Sequence, residues 1–222
     1  MNKTGEYTFT VLVPFYNEED NILNIERELK AFMQASVIPS VAVLFVNDGS
    51  KDNGMELVKE VCSRNEHFYY ISLSKNTGLS GAIKAGFDNC FSKYVGYIDA
   101  DLQTSPMDFN LLLPHAEEYP LVMGIRANRK DSFFKNFQSK IANGFRRMMT
   151  GDTAKDTGCP LKVLQTEYAK RIPMFTGMHR FFPALIQLQE GGKMMQIPVR
   201  HFPRTAGVSK YHLWNRLIAP FK

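Results

Sequence analysis

The feature that most restricts the fold is an alternation of short apolar runs with helical patterns. Four such runs lie in the first 100 residues, at 7–13, 41–46, 68–73 and 94–99, and a single helical pattern separates each from the next. Strands separated by single helices predict an α/β fold with a parallel sheet, in which ligands bind at the carboxyl ends of the strands.

Polar residues gather at the predicted strand ends, as Asn17-Glu18, Asp48-Gly49, the segment 76–78, and the pair Asp99 and Asp101. Two carboxylates one residue apart repel each other unless a cation or protons neutralise them. Mg²⁺ and Mn²⁺ use few carboxylates and take their other ligands from water and substrate phosphates. The pattern therefore favours a metal site. The alternative is that one acid caps the helix that follows Pro106.

The glycine-rich segment "NTGLSGAIKAG" (76–86) does not match a nucleotide-binding fingerprint. It lacks both GxxxxGK[ST] and GxGxxG, which disfavours a P-loop enzyme and a dinucleotide-dependent enzyme. Tight packing of a helix on a strand beside the ligand is the better interpretation. The cysteines Cys62, Cys90 and Cys159 are scattered, and we expect reduced, mostly buried thiols instead of a disulfide or zinc site.

The net charge of +5 conceals two different halves. Residues 1–120 carry 9 basic and 17 acidic side chains, whereas residues 121–222 carry 18 and 5. The acidic half suits a cation, and the basic half suits phosphate or an anionic membrane. The second half also shows a helical stretch from Pro106 to about residue 119, a short strand "LVMGIR", a helix in "HRFFPALIQLQEGG" and an edge strand in "KMMQIPVRHFP".

An ordered set of motifs resembles family 2 glycosyltransferases with the GT-A fold. It comprises "TVLVPFYNEEDNI", "VLFVNDGSKDN", "KNTGLSGAIKAGF" and "YIDADLQTSP", and continues with "GIRANR", "DTGCPLKVL", "HRFFPAL" and "RTAGVSKY". The set covers nearly the whole chain and is most similar to polyprenyl-phosphate sugar transferases of the dolichyl-phosphate mannose synthase-like group. The resemblance implies a Rossmann-like, mostly parallel central sheet flanked by helices.

The resemblance also implies a division of the chain. We expect a catalytic domain over residues 1–210, with a nucleotide and metal half at 1–120 and an acceptor half at 121–210. A C-terminal amphipathic helix would follow at 211–222.

By matching position, the resemblance implies a donor site. It places eight residues around the nucleotide-sugar: Pro14, Tyr16, Glu18, Asp48, Asp99, Gln103, Arg204 and Lys210. Asp99 and Asp101 would hold Mg²⁺ or Mn²⁺ on the diphosphate. Arg204 and Lys210 would reach over the diphosphate from a mobile loop.

The acceptor lipid phosphate would be bound by Arg126, Lys135 and Ser139. Lys135 stands where relatives often have an arginine, and a lysine offers a point charge in place of a two-pronged fork. His179 and Arg180 match the segment that faces sugar and acceptor in relatives. The other interpretation of these two residues is helix capping or packing.

The predicted function is metal-dependent, inverting transfer of a hexose from a GDP-mannose or UDP-glucose type donor to polyprenyl phosphate. Asp99, Asp101, Arg126 and Arg204 would carry catalysis. A phosphate monoester is already ionised near neutral pH, so this reaction needs no general base. Two alternatives remain: a saccharide or protein acceptor with Asp156 as the base, and a nucleotide-sugar binding module without catalysis.

The sequence predicts a cytoplasmic protein, peripheral at the inner face of the cell membrane. No apolar run approaches the roughly 20 residues that span a bilayer, and residues 1–10 lack a signal-peptide core. Residues 211–222 suit a helix on an anionic membrane surface, although packing on the domain would give the same pattern. We expect a membrane-directed continuation after Lys222. We expect no nucleic-acid partner, and the sequence does not predict the oligomeric state.

Overall fold

A computed structural model describes residues 7–126 and 153–203 of the chain. This part contains seven strands: β1 Phe9–Phe15, β2 Val41–Asn47, β3 Phe68–Ser72, β4 Tyr94–Tyr97, β5 Leu121–Arg126, β6 Lys162–Gln165 and β7 Met194–Val199. They form one sheet in the order β3-β2-β1-β4-β6-β5-β7. The strand β7 lies at an edge of the sheet, as the sequence predicts.

The sheet is mostly parallel, which confirms the predicted α/β class. Strands β3, β2, β1 and β4 run parallel, and so do β5 and β7. The exception is β6, which is antiparallel to both of its neighbours and was not predicted from the sequence. Its first residue, Lys162, lies opposite Tyr97 at the carboxyl end of β4. The segment that precedes β6 therefore reaches the edge where parallel strands place ligands.

Helices connect the strands and cover both faces of the sheet. They are α1 Glu19–Ala35, α2 Gly54–Arg64, α3 Gly78–Asp88, α4 Phe109–Leu112, α5 Thr166–Lys170 and α6 Phe182–Gln187, with 3₁₀ turns at Pro106–Asp108, Leu113–His115 and Met178–Arg180. In the described part of the chain, no helix combines the length and apolar composition needed to cross a bilayer.

Alternating side chains of the central strands divide the core into two layers. Phe9 and Val11 of β1 pack in the layer of α1 and α2, whereas Leu12 packs with α3 on the opposite face. Gly86 of α3 lies against Leu12, and a Cβ at this glycine would come within 2.1 Å of Leu12 Cδ1. This close approach confirms the packing role predicted for the glycine-rich segment.

The strand β1 continues to Phe15, past residue 13 where the predicted apolar run ends. Pro14 lies opposite Val46 within the β1–β2 pair. The Leu12 carbonyl accepts a bond from Ile98 on the β4 side, so Pro14, two residues further on, faces the same side. The β1–β4 pairing ends at Leu12, and the N–H that proline lacks is therefore not needed there.

The stretch after Pro106 is not the single helix that the sequence predicts. It contains a 3₁₀ turn, the short helix α4 and a second 3₁₀ turn with Pro114 near its start. A proline inside a helix removes a hydrogen-bond donor and clashes with the preceding turn, which explains the break. The helix predicted in "HRFFPALIQLQEGG" is also shorter, because a 3₁₀ turn precedes α6.

Candidate active site

The loops that follow β1 and β2 are joined by hydrogen bonds at the carboxyl edge of the sheet. The Asn17 amide donates to Ser50 Oγ at 3.0 Å, and the Lys51 amide donates to Asn17 Oδ1 at 2.7 Å. Asn17 adopts a left-handed backbone conformation with φ 51°, which asparagine tolerates better than most residues. The loop that carries Tyr16 and Glu18 is thus fixed against the neighbouring strand end.

Asp48 is buried and ties the end of β2 to the start of α3. Its Oδ1 accepts bonds from the Thr77 amide at 2.7 Å and from Thr77 Oγ1 at 2.8 Å. Gly49 has φ 70°, and a Cβ there would lie 2.8 Å from the Asn76 nitrogen. Only glycine allows the two loops to approach this closely.

Three more of the predicted nucleotide residues lie beside this junction. Pro14 is buried at the end of β1, and Tyr16 and Glu18 are partly exposed just after it. Glu18 Oε2 accepts a 2.7 Å bond from Asn21 Nδ2 in the first turn of α1. The structure thus places Pro14, Tyr16, Glu18 and Asp48 at one edge of the sheet.

Asp99 and Asp101 follow β4, with Asp101 buried and Asp99 partly buried. The Tyr97 hydroxyl donates to Asp99 Oδ1, and the Gln103 amide donates to Asp101 Oδ1 at 3.2 Å. Burial and the negative charge of Asp101 raise the pKa of Asp99 to about 6. The two carboxylates therefore repel each other, and a divalent cation between them would remove that repulsion.

Helix capping does not explain this acid pair. The 3₁₀ turn Pro106–Asp108 is capped by Ser105, whose Oγ accepts a 3.3 Å bond from the Met107 amide. Neither Asp99 nor Asp101 takes that position. The capping alternative raised by the sequence is therefore wrong.

The acid pair fits a divalent metal that takes its other ligands from a substrate and from water. Among the described residues, no third carboxylate, histidine or cysteine completes a metal cluster around Asp99 and Asp101. Mg²⁺ and Mn²⁺ accept such a set, because phosphate oxygens and water fill their other positions.

Arg126 at the end of β5 forms a buried, two-pronged ion pair with Asp156. Its Nε and Nη2 each donate to one carboxylate oxygen at 2.8 Å, and its backbone amide donates to Oδ2 at 3.2 Å. Both side chains are only 13% exposed. The guanidinium is close enough to Asp99 to oppose the rise in that carboxyl's pKa. Arg126 therefore lies within electrostatic range of Asp99, and Asp156 holds its guanidinium in place.

Lys162 is a site residue that the sequence analysis missed. It is buried, and its ammonium donates to the carbonyls of Cys159 and Thr157. Burial lowers its pKa, while its positive charge opposes the rise in the pKa of Asp99. The signal available in the sequence was a lysine inside the apolar run "PLKVL".

His179 is held by a hydrogen bond and does not cap a helix. Its Nδ1 lies 3.1 Å from Ser80 Oγ, and this oxygen accepts a 2.9 Å bond from the Gly177 amide. The hydroxyl hydrogen of Ser80 is therefore available to His179 Nδ1. Burial, aided by the positive charges of Arg180 and Lys162, lowers the pKa of His179 to about 3. The imidazole is neutral near pH 7.

Other predicted residues are exposed or lie elsewhere. Arg180 is exposed, and Gln103 is partly exposed beside Asp101. Lys135, Ser139, Arg204, Lys210 and residues 211–222 lie outside the described residues. The three cysteines are free thiols, as predicted, with Cys90 and Cys159 buried and Cys62 partly buried.

Comparison with known proteins identifies similar sequences. The model of "Glycosyl transferase family 2" matches residues 10–180. An undecaprenyl-phosphate 4-deoxy-4-formamido-L-arabinose transferase from Pectobacterium carotovorum is 35% identical over 205 residues, which is 91% of this chain and 62% of the relative. A protein of the same name from Edwardsiella ictaluri is 31% identical over 206 residues, which is 92% and 63% of the two chains. The chain spans about three fifths of the length of these relatives.

Solved structures share the fold at low sequence identity. Mannosyl-3-phosphoglycerate synthase from Rubrobacter xylanophilus has a TM-score of 0.71 at 16% identity, and the match covers 96% of this chain and 70% of that one. Glucosyl-3-phosphoglycerate synthase from Mycobacterium tuberculosis, in complex with Mn²⁺ and UDP-glucose, has a TM-score of 0.69 at 14% identity, with coverage of 98% and 77%. These similarities confirm the predicted GT-A fold.

Proposed function

The chain belongs to glycosyl transferase family 2, and from this premise we propose that it transfers a sugar from a nucleotide-sugar to a polyprenyl phosphate. The observation that carries the proposal is the acid pair Asp99 and Asp101 at the end of β4, with the guanidinium of Arg126 within electrostatic range of Asp99. This arrangement suits a metal-bound diphosphate on one side and an anionic acceptor on the other. The two similar sequences described above belong to undecaprenyl-phosphate sugar transferases, which supports the same acceptor.

In this proposal the donor lies along the strand ends of the acidic half, residues 1–120. Pro14, Tyr16, Glu18 and Asp48 surround the base and ribose, with Oδ2 of Asp48 directed to the ligand because Oδ1 is used by Thr77. Asp99 and Asp101 hold Mg²⁺ or Mn²⁺, which when bound neutralises charge on the departing diphosphate. Gln103 lines the same site, and Arg204 and Lys210 contribute further positive charge.

The acceptor is bound by the basic half, residues 121–210. Arg126, held in place by Asp156, orients the phosphate together with Lys135 and Ser139. An ionised phosphate oxygen is already a nucleophile, so positioning and charge stabilisation suffice without a general base. Direct displacement inverts the anomeric centre. An α-linked hexose of GDP or UDP would then give a β-linked lipid phosphate.

We place the protein at the inner face of the cell membrane, where a polyprenyl phosphate would be presented. Residues 211–222 supply an amphipathic segment for an anionic surface.

A saccharide or protein acceptor is the second candidate, and it requires a base. Asp156 is the candidate base named by the sequence, but both of its carboxylate oxygens accept bonds from Arg126. An arginine pair stabilises the ionised carboxylate and makes it a weaker base. This geometry favours the phosphate acceptor.

The test is a transfer assay with matched acceptors. The full protein would be incubated with Mn²⁺ and undecaprenyl phosphate, and in parallel with undecaprenol, which lacks the phosphate. GDP-mannose, UDP-glucose and a nucleotide-linked 4-deoxy-4-formamido-L-arabinose would serve as donors. We expect a glycosylated lipid phosphate by mass spectrometry, no product from the alcohol, and an inverted anomeric centre by NMR. Donor binding without any turnover would instead favour a binding module.

A further inference from the structure

The loop that carries the acid pair contains a strained residue. Leu102, between Asp101 and Gln103, has φ 55°, in the left-handed region that a branched side chain rarely adopts. Its side chain packs against the core layer of α1 and α2. A conformation of this kind persists only when surrounding contacts hold it.

Two hydrogen bonds from the segment that follows β7 hold Gln103, the residue after Leu102. The Gln103 carbonyl accepts a 2.9 Å bond from the Phe202 amide and a 3.0 Å bond from His201 Nδ1. A carbonyl oxygen only accepts, so His201 Nδ1 carries the hydrogen. The Gln103 amide meanwhile donates to Asp101 Oδ1. One peptide segment thus links a metal carboxylate to the chain that follows β7.

The same segment is anchored a second time at the end of the acid loop. The Arg200 amide donates to Asp108 Oδ2 at 2.8 Å, and its Nε and Nη2 donate to Asp108 Oδ1 at 2.8 and 2.6 Å. The Asp108 side chain is only 3% exposed, whereas that of Arg200 is 59% exposed. The buried carboxylate therefore fixes the start of the segment, and His201 and Phe202 follow directly.

We propose that Arg200–Phe202 is a clamp that holds the metal-binding loop in its strained conformation, with His201 as the positioning residue. This inference rests on the proposed metal and nucleotide site. Neither the resemblance nor the sequence motifs assigned a role to His201 or Arg200. Loss of the clamp lets the loop relax at Leu102 and moves Asp101 away from its position, which weakens metal and nucleotide binding.

The test compares His201→Ala with His201→Asn. Asparagine places an amide donor close to the position of Nδ1, whereas alanine removes the donor. Titration calorimetry would measure the affinity for Mn²⁺ in the presence of UDP, and in a second series in the presence of GDP. We expect His201→Ala to weaken Mn²⁺ binding about fivefold, the scale of one hydrogen bond, and His201→Asn to restore affinity to within about twofold of wild type. His115→Ala is the matched control and should bind as wild type does.

Thermal melting separates positioning from general stability. A role confined to stability would lower the melting temperature of His201→Ala without changing the affinity for Mn²⁺, and that outcome would overturn the clamp. Arg200→Lys provides a second variant, because lysine keeps a positive charge facing Asp108 but loses the paired hydrogen bonds of the guanidinium. It should also weaken Mn²⁺ binding.

The two proposals fail differently. Binding of Mn²⁺ and nucleotide by wild type, together with unchanged affinity in His201→Ala, refutes the clamp alone. Absence of Mn²⁺-dependent binding of either nucleotide to wild type contradicts the proposed function, and the clamp with it.

Discussion

The proposed donor side (Asp48, Asp99 and Asp101) and the proposed acceptor side (Arg126 and Asp156) differ in the hydrogen-bond partners of their charged side chains. On the donor side, Asp48, Asp99 and Asp101 accept hydrogen bonds from neutral groups, namely backbone amides and hydroxyls. On the acceptor side, Arg126 is paired with an ionised carboxylate inside the protein. Neutral hydrogen-bond donors orient a carboxylate without cancelling its negative charge, whereas an ion pair balances the charges of both partners.

This difference in charge pairing indicates which kind of ligand each side can bind. Carboxylates oriented by neutral amides and hydroxyls keep negative charge that suits the divalent cation of the proposed donor site. A paired guanidinium is instead held rigidly, so it can meet an anionic acceptor without first being ordered. Five substitutions test this contrast, and they are given in order of expected effect.

Removing one negative charge from the donor side should have the largest effect. Asp101→Asn keeps an oxygen that can accept the Gln103 amide bond but removes half of the acid pair. We expect turnover in the presence of Mn²⁺ to fall about 10²- to 10³-fold. The melting temperature should not fall, because the repulsion with Asp99 is lost as well. Activity equal to wild type would falsify the assignment of Asp101 to the metal.

Changing the shape of the paired cation should have the next largest effect. Arg126→Lys keeps the charge but loses the two-pronged bond to Asp156, so the cation is no longer rigidly placed. We expect kcat/KM for polyprenyl phosphate to fall about 10- to 100-fold, the scale of a misplaced substrate group. Nucleotide affinity, measured by calorimetry, should stay unchanged.

Asp156→Asn is the companion variant to Arg126→Lys. If Asp156 only holds Arg126, this change should cost less activity than Arg126→Lys. Complete loss of turnover in Asp156→Asn alone would instead favour the alternative in which Asp156 is a general base.

His179 gives a pH-dependent test at the boundary between the two sides. In the folded protein the pKa of His179 is about 3, so the imidazole stays neutral above that pH. In the unfolded chain the same side chain binds a proton below about pH 6.5. Stability must therefore fall as the pH falls below 6.5. Relative to His179→Gln, wild type should lose up to about 1.4 kcal/mol of unfolding free energy per pH unit. Urea titrations from about pH 7 to about pH 5 would measure it, and parallel curves for the two proteins would contradict a buried neutral imidazole.

An exposed ion pair supplies the smallest effect. Lys59 and Glu56 form a 2.7 Å pair on the surface of α2, with both side chains largely in solvent. Exposed pairs contribute little because water screens them. Lys59→Ala should leave the melting temperature and turnover unchanged. A clear loss of either would show that charge pairing matters here regardless of burial.

The donor side could be predicted from the sequence because its signals are local. Each polar cluster directly follows the strand that positions it, and a parallel sheet brings the carboxyl ends of its strands to one edge. Asp48 and Asp99 therefore lie where the pattern placed them. The helices α1 and α2 were also predictable, because their apolar residues recur with helical spacing.

Hydrogen bonds between distant parts of the chain were less predictable. Asp108 and Arg200 are 92 residues apart, and Ser80 and His179 are 99 apart, so no local pattern pairs them. The strand β6 has only four residues, too few for a clear alternation of side chains. The left-handed conformation of Leu102 depends on contacts from beyond β7, and nothing in its neighbouring residues signals it.

The reversed direction of β6 also has a topological consequence. The chain leaves the sheet at Arg126 and re-enters it at Lys162 on the same edge. It therefore does not need to cross a face of the sheet to begin β6. The ion pair between Arg126 and Asp156, which are 30 positions apart in the sequence, closes this excursion. Such a closed excursion can change in length or composition at low entropic cost and without shifting any strand register. If this segment binds the acceptor, as we propose, acceptor preference can change within it while the sheet and the loops after β1, β2 and β4 stay constant.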